Sequence, residues 1–593
     1  MAKIEAMTRK NLPQPAFLPT SRSEMDALGW EALDVLLVSG DAYVDHPSFG
    51  TALVGRWLVA HGYRVGVVAQ PRWDRPDDVV AMGRPRLFAG ASAGALDSML
   101  AHYTAFRKKR HDDAYTPGGK AGARPNRACI AYTALLHSAF PGLPVVLGGV
   151  EASLRRAAHY DFWGDELRRP ILLDAKAELV VYGMAERAIL EVARRIESSG
   201  ASPDEKARLR PGALAGIPGT VFVGTEADVP AGAAREVLPS FEEIGAKPRL
   251  LMPATLALER QVHRGDEWLV QAAGNRRVVV APPAEPLSSR ELDELYALPF
   301  ARAAHPSYRE AIPAEEMIRF SITSHRGCAG GCSFCALALH QGRRVRSRSA
   351  GSLAGEATVM TKHPAWTGSI SDVGGPTANM WGAVCAADPA KCRRASCLAP
   401  SACPHFRCDQ SAVAAMLREV ARLPGVKHLR VASGVRHDLA RRDPKYVRAL
   451  VREFTGGQLK IAPEHCSERV LKLMRKPGFR TFMEFLGVFE AESKAAGKPQ
   501  FVVPYLISAF PGCTEKDMQE LSAWLKSRGW KPQQVQCFIP IPGTVAAAMY
   551  YGGIDPEGNQ IPVARTDAER RRQHELLLGA GPVTGAGRRG RKR

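Results

Sequence analysis

The chain of 593 residues is 45% hydrophobic, which is enough to bury the cores of roughly two to four domains. This composition excludes a wholly disordered protein. No run of about 18 apolar residues occurs, and residues 1–19 lack the apolar core of a signal peptide, so we expect a cytoplasmic protein without membrane contact. The formal net charge of +20 favours nucleic acid or another anion as a partner, although an arginine-rich composition alone gives the same charge.

The first folded region that the sequence predicts is a doubly wound α/β domain over residues 26–200, after an N-terminal extension of residues 1–25. Apolar runs at residues 35–38 and 65–68 flank a helical face at residues 52–60, which is the pattern of a βαβ unit. Further strands are predicted in chain order, at residues 87–90, 128–132, 145–149 and 179–183. Residues 201–313 have shorter signals with more Pro and Gly, and are predicted to be a connecting region.

A second α/β series predicts an incomplete (β/α)6 barrel within residues 314–560. Its six strands are predicted at residues 317–322, 370–373, 429–432, 459–462, 501–508 and 535–538. In such barrels the chemistry lies at the C-terminal ends of the strands. Residues 381–410 form a cysteine-rich insertion, and residues 561–593, rich in Arg, Gly and Ala, are predicted to be a disordered basic tail.

Three cysteines, Cys328, Cys332 and Cys335, lie on one short loop directly after the first barrel strand. Their C-x3-C-x2-C spacing lets three thiolates ligate three irons of a [4Fe-4S] cluster and leaves the fourth iron open. That iron can chelate S-adenosylmethionine (SAM), so that an electron from the cluster cleaves SAM into methionine and a 5′-deoxyadenosyl radical, which takes hydrogen from a substrate. A structural zinc site generally has four closed ligands, often as two C-x2-C pairs, and does not fit this spacing.

The motif resembles the radical SAM superfamily, and nearly the whole chain resembles its YgiQ-type branch. The segments that carry the second resemblance are GDAYVDHPSFG at residues 40–50, DDAYTPGGK at 112–120, LGGVEASLRR at 147–156 and GGPTANM at 374–380. The resemblance implies an enzyme that uses SAM and a [4Fe-4S] cluster on an unidentified substrate, with an electron donor such as flavodoxin or ferredoxin.

The resemblance also implies a set of SAM contacts: Phe334, Gly374, Gly375, Thr377, Ser433, Arg436 and Glu464. Superfamily members usually hold the SAM amino group with a Gly-Gly-Glu-like segment, but here Pro376 replaces the acid, so that contact passes to backbone or to a side chain such as Thr377 or Asn379. A guanidinium at Arg436 can pair bidentately with the SAM carboxylate. A surface ion pair for Arg436, and a helix-starting acid for Glu464, remain equally open.

A second group of cysteines falls in the insertion between the second and third barrel strands. Thiols are rarely packed so densely for structural reasons alone, and irregular loops often use a metal in place of a core. The insertion is therefore predicted to hold a second metal centre, either an auxiliary iron–sulfur cluster or zinc. Its expected ligands are Cys385, Cys392, Cys397 and Cys403, and Cys408 is a fifth cysteine of the same stretch.

The predicted doubly wound domain resembles the cobalamin-binding module of some superfamily members. Those members carry Asp-x-His-x-x-Gly after the first strand, whereas this chain has Asp45-His46-Pro47-Ser48-Phe49-Gly50, and the changed spacing argues against cobalamin. Residues 116–120 are a candidate phosphate cradle, and residues 148–151 end a strand where open sheets bind ligands. A polar substrate or a contact with the barrel is expected at a group of ionisable residues: Asp45, His46, Glu151, Arg155, Arg156 and His159.

Two other functions stay open from the sequence. An RNA-modifying radical SAM enzyme, as in the methylthiotransferases, would use the basic surface, although no RNA-binding module follows the barrel. A non-catalytic iron–sulfur sensor or scaffold would instead dock nucleic acid through the basic tail. Cleavage of SAM separates the enzyme from the scaffold, and a steep salt dependence of nucleic-acid binding would favour docking.

Overall fold

The computed structural model describes residues 12–199, 212–532 and 535–578. Two α/β regions follow one another along the chain, the first ending near residue 304 and the second beginning near residue 313. Within these ranges, no helix has both the length and the apolar character that crossing a bilayer requires.

The first region is built from short strands and helices that alternate for most of its length. Its strands are β1 (Val35–Ser39), β2 (Val44–Asp45), β3 (Val65–Ala69), β4 (Phe88–Ser92), β5 (Val145–Gly148), β6 (His159–Asp161), β7 (Glu166–Arg168), β8 (Leu179–Val181), β9 (Thr220–Val223), β10 (Arg235–Val237), β11 (Trp268–Ala273), β12 (Arg276–Val280) and β13 (Ala303–Ala304). Its helices are α1 (Arg22–Ala27), α2 (Gly50–Ala60), α3 (Asp77–Val80), α4 (Ser98–His102), α5 (Ala128–Ala139), α6 (Gly149–Leu154), α7 (Ile171–Ala175), α8 (Glu186–Ser198), α9 (Phe241–Ala246), α10 (Leu251–Arg264) and α11 (Ser289–Tyr296).

Nine of these strands form one sheet, in the order β10-β11-β12-β9-β8-β5-β4-β1-β3. The five strands from β3 to β8 are parallel. Numbered along the chain, these five lie in the order 2-1-3-4-5, which is a doubly wound arrangement. Such a sheet is buried on both faces, and β1 and β5 accordingly consist of Val, Leu, Ser and Gly with almost no exposed surface.

The region predicted to be a connector contributes to the same sheet. Strands β9 to β12 lie within residues 220–280. Strand β9 extends the sheet beyond β8, with which it pairs antiparallel. Residues 128–132, predicted as a strand, instead begin the helix α5. The buried positions of α5 recur at helical spacing over twelve residues, a period that a five-residue window does not reveal.

The second region carries the predicted barrel. Its strands are β14 (Ser321–Thr323), β15 (His325–Arg326), β16 (Arg346–Ser347), β17 (Ser369–Ile370), β18 (Asp372–Gly374), β19 (Val384–Cys385), β20 (Phe406–Arg407), β21 (His428–Leu429), β22 (Gln458–Glu464), β23 (Phe501–Ser508) and β24 (Val535–Cys537). Its helices are α12 (Pro313–Ile318), α13 (Ala336–Gln341), α14 (Ala350–Met360), α15 (Gln410–Ala421), α16 (His437–Ala440), α17 (Pro444–Ala449), α18 (Glu468–Met474), α19 (Phe479–Ala495), α20 (Glu515–Ser527), α21 (Val545–Gly552) and α22 (Asp567–Leu578).

The barrel strands pair in parallel and in chain order. Strand β14 pairs with β18, β17 with β21, and β22 with β23 and then β24. A single bridge between Val435 and Ile461 joins the two halves of the row. All six predicted strands are found, although the first is shorter than predicted because residues 317 and 318 end α12.

The predicted disordered tail is wrong over residues 567–578, which form α22. One face of this helix is buried at Arg570, Gln573 and Leu577, a spacing of three and four residues. The Arg570 guanidinium lies 4.4 Å from the ring centroid of Phe162, so the helix ties the end of the barrel to the first region. Residues 579–593 of the predicted tail lie outside the described residues.

Candidate active site

The three cysteines of the C-x3-C-x2-C motif lie at the C-terminal end of the first barrel strands. The loop follows β15 and ends at Cys335, the N-cap residue of α13. Backbone hydrogen bonds fold it back on itself: the Cys335 amide donates to the Cys332 carbonyl at 3.1 Å, and the Cys328 amide donates to the Gly342 carbonyl at 3.1 Å. All three thiols thus come from one loop, which is the donor set that suits a [4Fe-4S] cluster with one open iron.

Burial raises the pKa of two of these thiols. Together with the neighbouring Cys332 and Cys328 thiols, it raises the pKa of Cys335 to about 12. Burial also raises the pKa of Cys328, while Arg436 and Lys476 act in the opposite direction. Cysteine binds metal as the thiolate, so a metal that binds here must displace these protons.

Arg436 reaches the cysteine loop from the segment after β21. Its Nη1 lies 3.7 Å from the Cys332 Sγ, while Nε and Nη2 donate to the two carboxylate oxygens of Asp438 at 2.9 and 2.7 Å. Both side chains are buried. Although burial raises it, the Arg436 guanidinium holds the pKa of Asp438 below its ordinary value. The two nitrogens of Arg436 that could bind a SAM carboxylate bidentately, Nε and Nη2, therefore already bind Asp438. The remaining nitrogen, Nη1, is directed at the cysteine loop.

Glu464 ends β22 beside the same loop and pairs with a residue that the sequence did not single out. Its Oε1 lies 3.5 Å from Nζ of Lys476, and both side chains are buried. Burial raises the pKa of Glu464, while Lys476 and Arg436 lower it. The Glu464 backbone has φ of +69°, a conformation that costs a residue other than glycine on the order of 1–3 kcal/mol. Backbone strain of this kind is typical of functional positions, which supports a role for Glu464. Its partner Lys476 is then, with Arg436, the third charged residue of the site.

The predicted glycine pair allows close packing at the ends of two strands. A Cβ on Gly374 would lie 2.9 Å from the Ser433 Oγ, and a Cβ on Gly375 would lie 2.6 Å from the His325 carbonyl oxygen. The hydroxyls nearby are already engaged. Thr377 Oγ1 donates to the Gly434 carbonyl at 2.8 Å, and Ser433 Oγ is hydrogen bonded to the carboxylate of Asp372.

The same strand ends bring together the other predicted contacts. Phe334 packs edge-on against Phe510, with ring centroids 6.2 Å apart. The amide of its neighbour Ser333 donates to the Met474 carbonyl at 3.1 Å, which fixes the loop to the end of α18. Asn379 accepts a hydrogen bond from the Arg436 amide at 2.8 Å, so it positions the backbone of that residue.

A small cavity of about 60 Å³ lies between the two regions, against the segment that follows the cysteine loop. Tyr182 and Gly183 line it from the first region, and residues 339–344 line it from α13 and the segment that follows. Its arginines are largely paired, for example Arg326 with Glu186 at 2.5 Å. None of the predicted site residues lines this cavity, so we do not place SAM there.

His46 is the histidine that the sequence comparison set against the cobalt ligand of cobalamin-binding domains. It is 1% exposed and points towards the barrel. Its Nε2 lies 2.9 Å from Nη1 of Arg302, whose guanidinium is also paired with Glu356 on α14. Burial, and then Arg302, lower the pKa of His46 well below its ordinary value. The ring is thus part of the contact between the regions and is not presented to a ligand.

The place where a doubly wound sheet usually binds ligands is filled by side chains. At the ends of β1 and β4, Arg124 lies 3.0 Å from Asp41 and 2.9 Å from Asp113, and all three are buried. A Cβ on Gly94 would overlap the Asp41 carboxylate. Glu151 is likewise enclosed, since its carboxylate accepts hydrogen bonds from both the amide and the hydroxyl of Ser98.

The other predicted ligand sites of the first region have structural roles. The amides of Gly118 and Gly119 donate to backbone carbonyls, and Lys120 pairs with Glu310 at 2.6 Å, so the predicted phosphate cradle is wrong. A further set of the predicted ionisable residues is buried within hydrogen bonds and ring contacts: Asp45, Arg155, Arg156 and His159. The same part of the first region does contact the barrel region, since His340 of α13 lies 3.1 Å from Ser153 of α6.

Comparison with known sequences relates the chain to radical SAM proteins. A family model described as Radical SAM N-terminal matches residues 17–321. A UPF0313 protein of Geobacter sulfurreducens is 51% identical over 95% of this chain and 92% of its own length. A UPF0313 protein of Bradyrhizobium diazoefficiens is 46% identical over 97% and 88%, and the UPF0313 protein YgiQ of Salmonella typhimurium is 43% identical over 95% and 86%.

Solved structures with the same fold are also found. The radical SAM methyltransferase TsrM from Kitasatospora setae, solved with tryptophan and a SAM analog, superposes with a TM-score of 0.52 at 13% identity over 91% of this chain and 87% of that one. A second TsrM structure, with cobalamin and a [4Fe-4S] cluster bound, gives a TM-score of 0.51. At this identity the likeness establishes the fold alone.

The family match and the fold together define the class of the protein, which is a radical SAM enzyme with an α/β domain ahead of its barrel. Within this class, the chain belongs to the UPF0313 family, which includes YgiQ. The resemblance inferred from the cysteine loop and the four flanking segments is thereby confirmed. The [4Fe-4S] cluster and SAM are the cofactors that this class implies.

Proposed function

We propose that the enzyme holds a [4Fe-4S] cluster on Cys328, Cys332 and Cys335 and uses it to generate a radical from SAM. When bound, the cluster supplies one electron that breaks the S–C5′ bond of SAM and gives methionine and a 5′-deoxyadenosyl radical. The observation that carries the proposal is that Arg436 and the Lys476–Glu464 pair converge on this one loop at the C-terminal ends of the barrel strands.

The charged residues of the site have separate roles in this proposal. Arg436 places a permanent positive charge 3.7 Å from the Cys332 sulfur, where it offsets the negative charge of thiolate ligands. Lys476 offers an ammonium group for the SAM carboxylate, and Glu464 offers an acceptor for the SAM amino group that Pro376 cannot provide. Both groups are buried, so they act at low dielectric, where a charge-assisted contact is strongest.

Electron paramagnetic resonance of the reduced protein tests SAM binding at the open iron. Reconstituted wild-type protein should give a [4Fe-4S]+ signal that changes when SAM is added. The Cys332→Ser variant should lose the SAM-sensitive signal, while Cys129→Ala, which alters a buried cysteine of α5, should retain it. A reduced signal that SAM leaves unchanged, or a SAM response that survives in Cys332→Ser, would refute the proposal.

The chain shares its fold with TsrM, which has been solved with cobalamin bound. In this chain His46 is buried against Arg302, and the ends of β1 and β4 are filled by the Arg124 ion pairs. These side chains do not fit a histidine-ligated cobalamin, and we propose that the enzyme has none. Hydroxocobalamin added during reconstitution should be removed by gel filtration. Retention of about one cobalamin per chain, lost in His46→Gln, would contradict this.

A further inference from the structure

The cysteine-rich insertion has little regular structure of its own. It contains only a single turn at residues 389–391 and the two-residue strands β19 and β20, which pair with each other through Cys385 and Phe406. Of its four cysteines, Cys397 and Cys403 lie in a small apolar cluster, whereas Cys385 is exposed and Cys392 is half-buried, so packing does not hold the whole set. Cysteines in such segments commonly serve as ligands of a metal that replaces a core.

The four cysteines of the insertion lie close together. Cys385 pairs with Phe406, whose amide donates to the Cys403 carbonyl at 3.0 Å. Arg343 donates both to the carbonyl of Arg394, two residues after Cys392, and to the Cys397 thiol. The Cys403 amide donates to the Cys397 carbonyl at 2.7 Å, and both residues belong to one small buried cluster. Four cysteines from residues that are up to 18 positions apart in sequence are thus gathered at one place in the fold.

The cysteines of the insertion are not arranged as a closed site for one ion. Among the residues that the structure describes, no three His, Cys, Asp or Glu side chains are grouped closely enough to hold a single ion, and this applies to both cysteine groups. The ligands of a cubane each bind a different iron, whereas the four ligands of a structural zinc all bind one ion. Metal analysis distinguishes the two in the insertion.

The insertion packs directly on the first cysteine loop. Ser396 Oγ donates to the Gly330 carbonyl at 2.5 Å, and the Cys397 amide donates to the Ala329 carbonyl at 3.1 Å. Gly331 has φ of +59°, and a Cβ there would lie 2.4 Å from the Ala395 carbonyl oxygen. Cys397 of the second group is therefore joined to the first cysteine loop by a direct backbone hydrogen bond.

The opposite side of the insertion is open to solvent and basic. Cys385 is exposed and Cys392 is half-buried, whereas Cys397 and Cys403 are 5% and 7% exposed. Buried Arg343 donates from Nη2 to the Cys397 Sγ at 3.5 Å, a hydrogen bond of the kind that tunes the potential of a cluster. The exposed basic residues of the insertion are Lys391, which lies 3.8 Å from Asp388, and Arg393 and Arg407. They suit an acidic protein that brings electrons.

We propose that Cys385, Cys392, Cys397 and Cys403 bind a second [4Fe-4S] cluster that passes electrons from an acidic, low-potential donor protein to the first cluster. One electron from the donor would reduce the second cluster, pass to the first and end in the cleavage of SAM, so that the donor is oxidised by one electron, SAM is the acceptor and both clusters are left in their oxidised state. The relay rests on the proposed function, whereas the presence of the second cluster does not.

Iron and sulfide analysis after anaerobic reconstitution tests the cluster itself. Wild-type protein should contain about eight irons per chain, and both the Cys328/Cys332/Cys335→Ser and the Cys385/Cys392/Cys397/Cys403→Ser variants should contain about four, as expected for two cubanes. Cys408→Ser, the matched control from the same stretch, should keep about eight. About four irons in the wild type and none in the first variant would overturn the proposal, as would bound zinc in place of the second set of irons.

The rate of SAM cleavage with two reductants tests the relay. We expect the ratio of the rate with reduced flavodoxin to the rate with titanium(III) citrate to fall at least about tenfold in Cys385→Ser/Cys392→Ser. Arg343→Gln, which keeps all cysteines, should shift the reduction potential of one cluster and leave that of the other in place. An unchanged ratio would overturn the relay. If no protein cleaves SAM with either reductant, the proposed function fails while the iron count still decides on the second cluster.

Discussion

Substitution of Gly331 by alanine would test whether the two cysteine loops depend on each other. Gly331 has φ of +59°, and the added Cβ would lie 2.4 Å from the Ala395 carbonyl oxygen. Left-handed backbone costs an L-residue about 1–2 kcal/mol. The collision forces apart two backbones that hydrogen bonds join nearby, and overpacking of this kind costs a further 1–3 kcal/mol or so. We therefore expect a total destabilisation of about 2–5 kcal/mol, concentrated where the loops meet.

Gly382→Ala provides a matched control because it carries the backbone cost without the collision. Gly382 has φ of +73°, and a Cβ there would have no heavy atom within 4 Å. Thermal unfolding and iron content after reconstitution should be measured for both variants. We expect Gly331→Ala to unfold at a lower temperature than Gly382→Ala and to retain less iron. Equal unfolding temperatures and equal iron contents would refute the inference that the insertion braces the first loop.

Three further predictions concern buried charge. Arg436→Ala leaves Asp438 buried without its cation and should cost about 3–5 kcal/mol, whereas Arg441→Ala, which breaks an exposed pair, should cost less than about 1 kcal/mol by thermal unfolding. Burial lowers the pKa of His325 from about 6.5 to about 4, so the folded state is stabilised by the neutral imidazole above pH 6.5 and loses this stability as the pH falls towards 4. Between pH 7 and 5, the free energy of unfolding of the wild type should therefore fall by about 2 kcal/mol more than that of His325→Gln in denaturant titrations. Lys476→Met should raise the dissociation constant for SAM about tenfold or more by equilibrium dialysis, and unchanged affinity would remove Lys476 from the site.

Much of the fold follows from short apolar runs. Strands β1 and β5 are almost fully buried, so their sequences are runs of Val and Leu that single them out. Strand β23 is buried mainly towards its C-terminal end, and its apolar residues predict it as well. Strands β9 to β12 were missed because exposed arginines at residues 276 and 277 and turns at Gly break their pattern. Helix α22 was missed because its buried face contains Arg570 and Gln573, which count as polar in any hydrophobic pattern.

The candidate site was only partly readable from the sequence. Fixed spacing reveals Cys328, Cys332 and Cys335, since all three lie on one loop. Lys476 gives no such signal, because it lies in an irregular turn after α18 and reaches Glu464 only through the fold. The hydrogen bond between Ser433 and Asp372 gives no sequence signal either, since the two residues are 61 positions apart. Pairings of this range depend on the tertiary structure.

The formation of 5′-deoxyadenosine is the measurement that tests the central claim most directly. Wild-type protein, reconstituted anaerobically and reduced with titanium(III) citrate, should convert SAM to 5′-deoxyadenosine and methionine in equal amounts. Cys328→Ala should form neither product above background, because the cluster would lose one of its three ligands. Equal product formation by wild type and Cys328→Ala, or none by the fully loaded wild type even with cell extract as a source of substrate, would contradict the account.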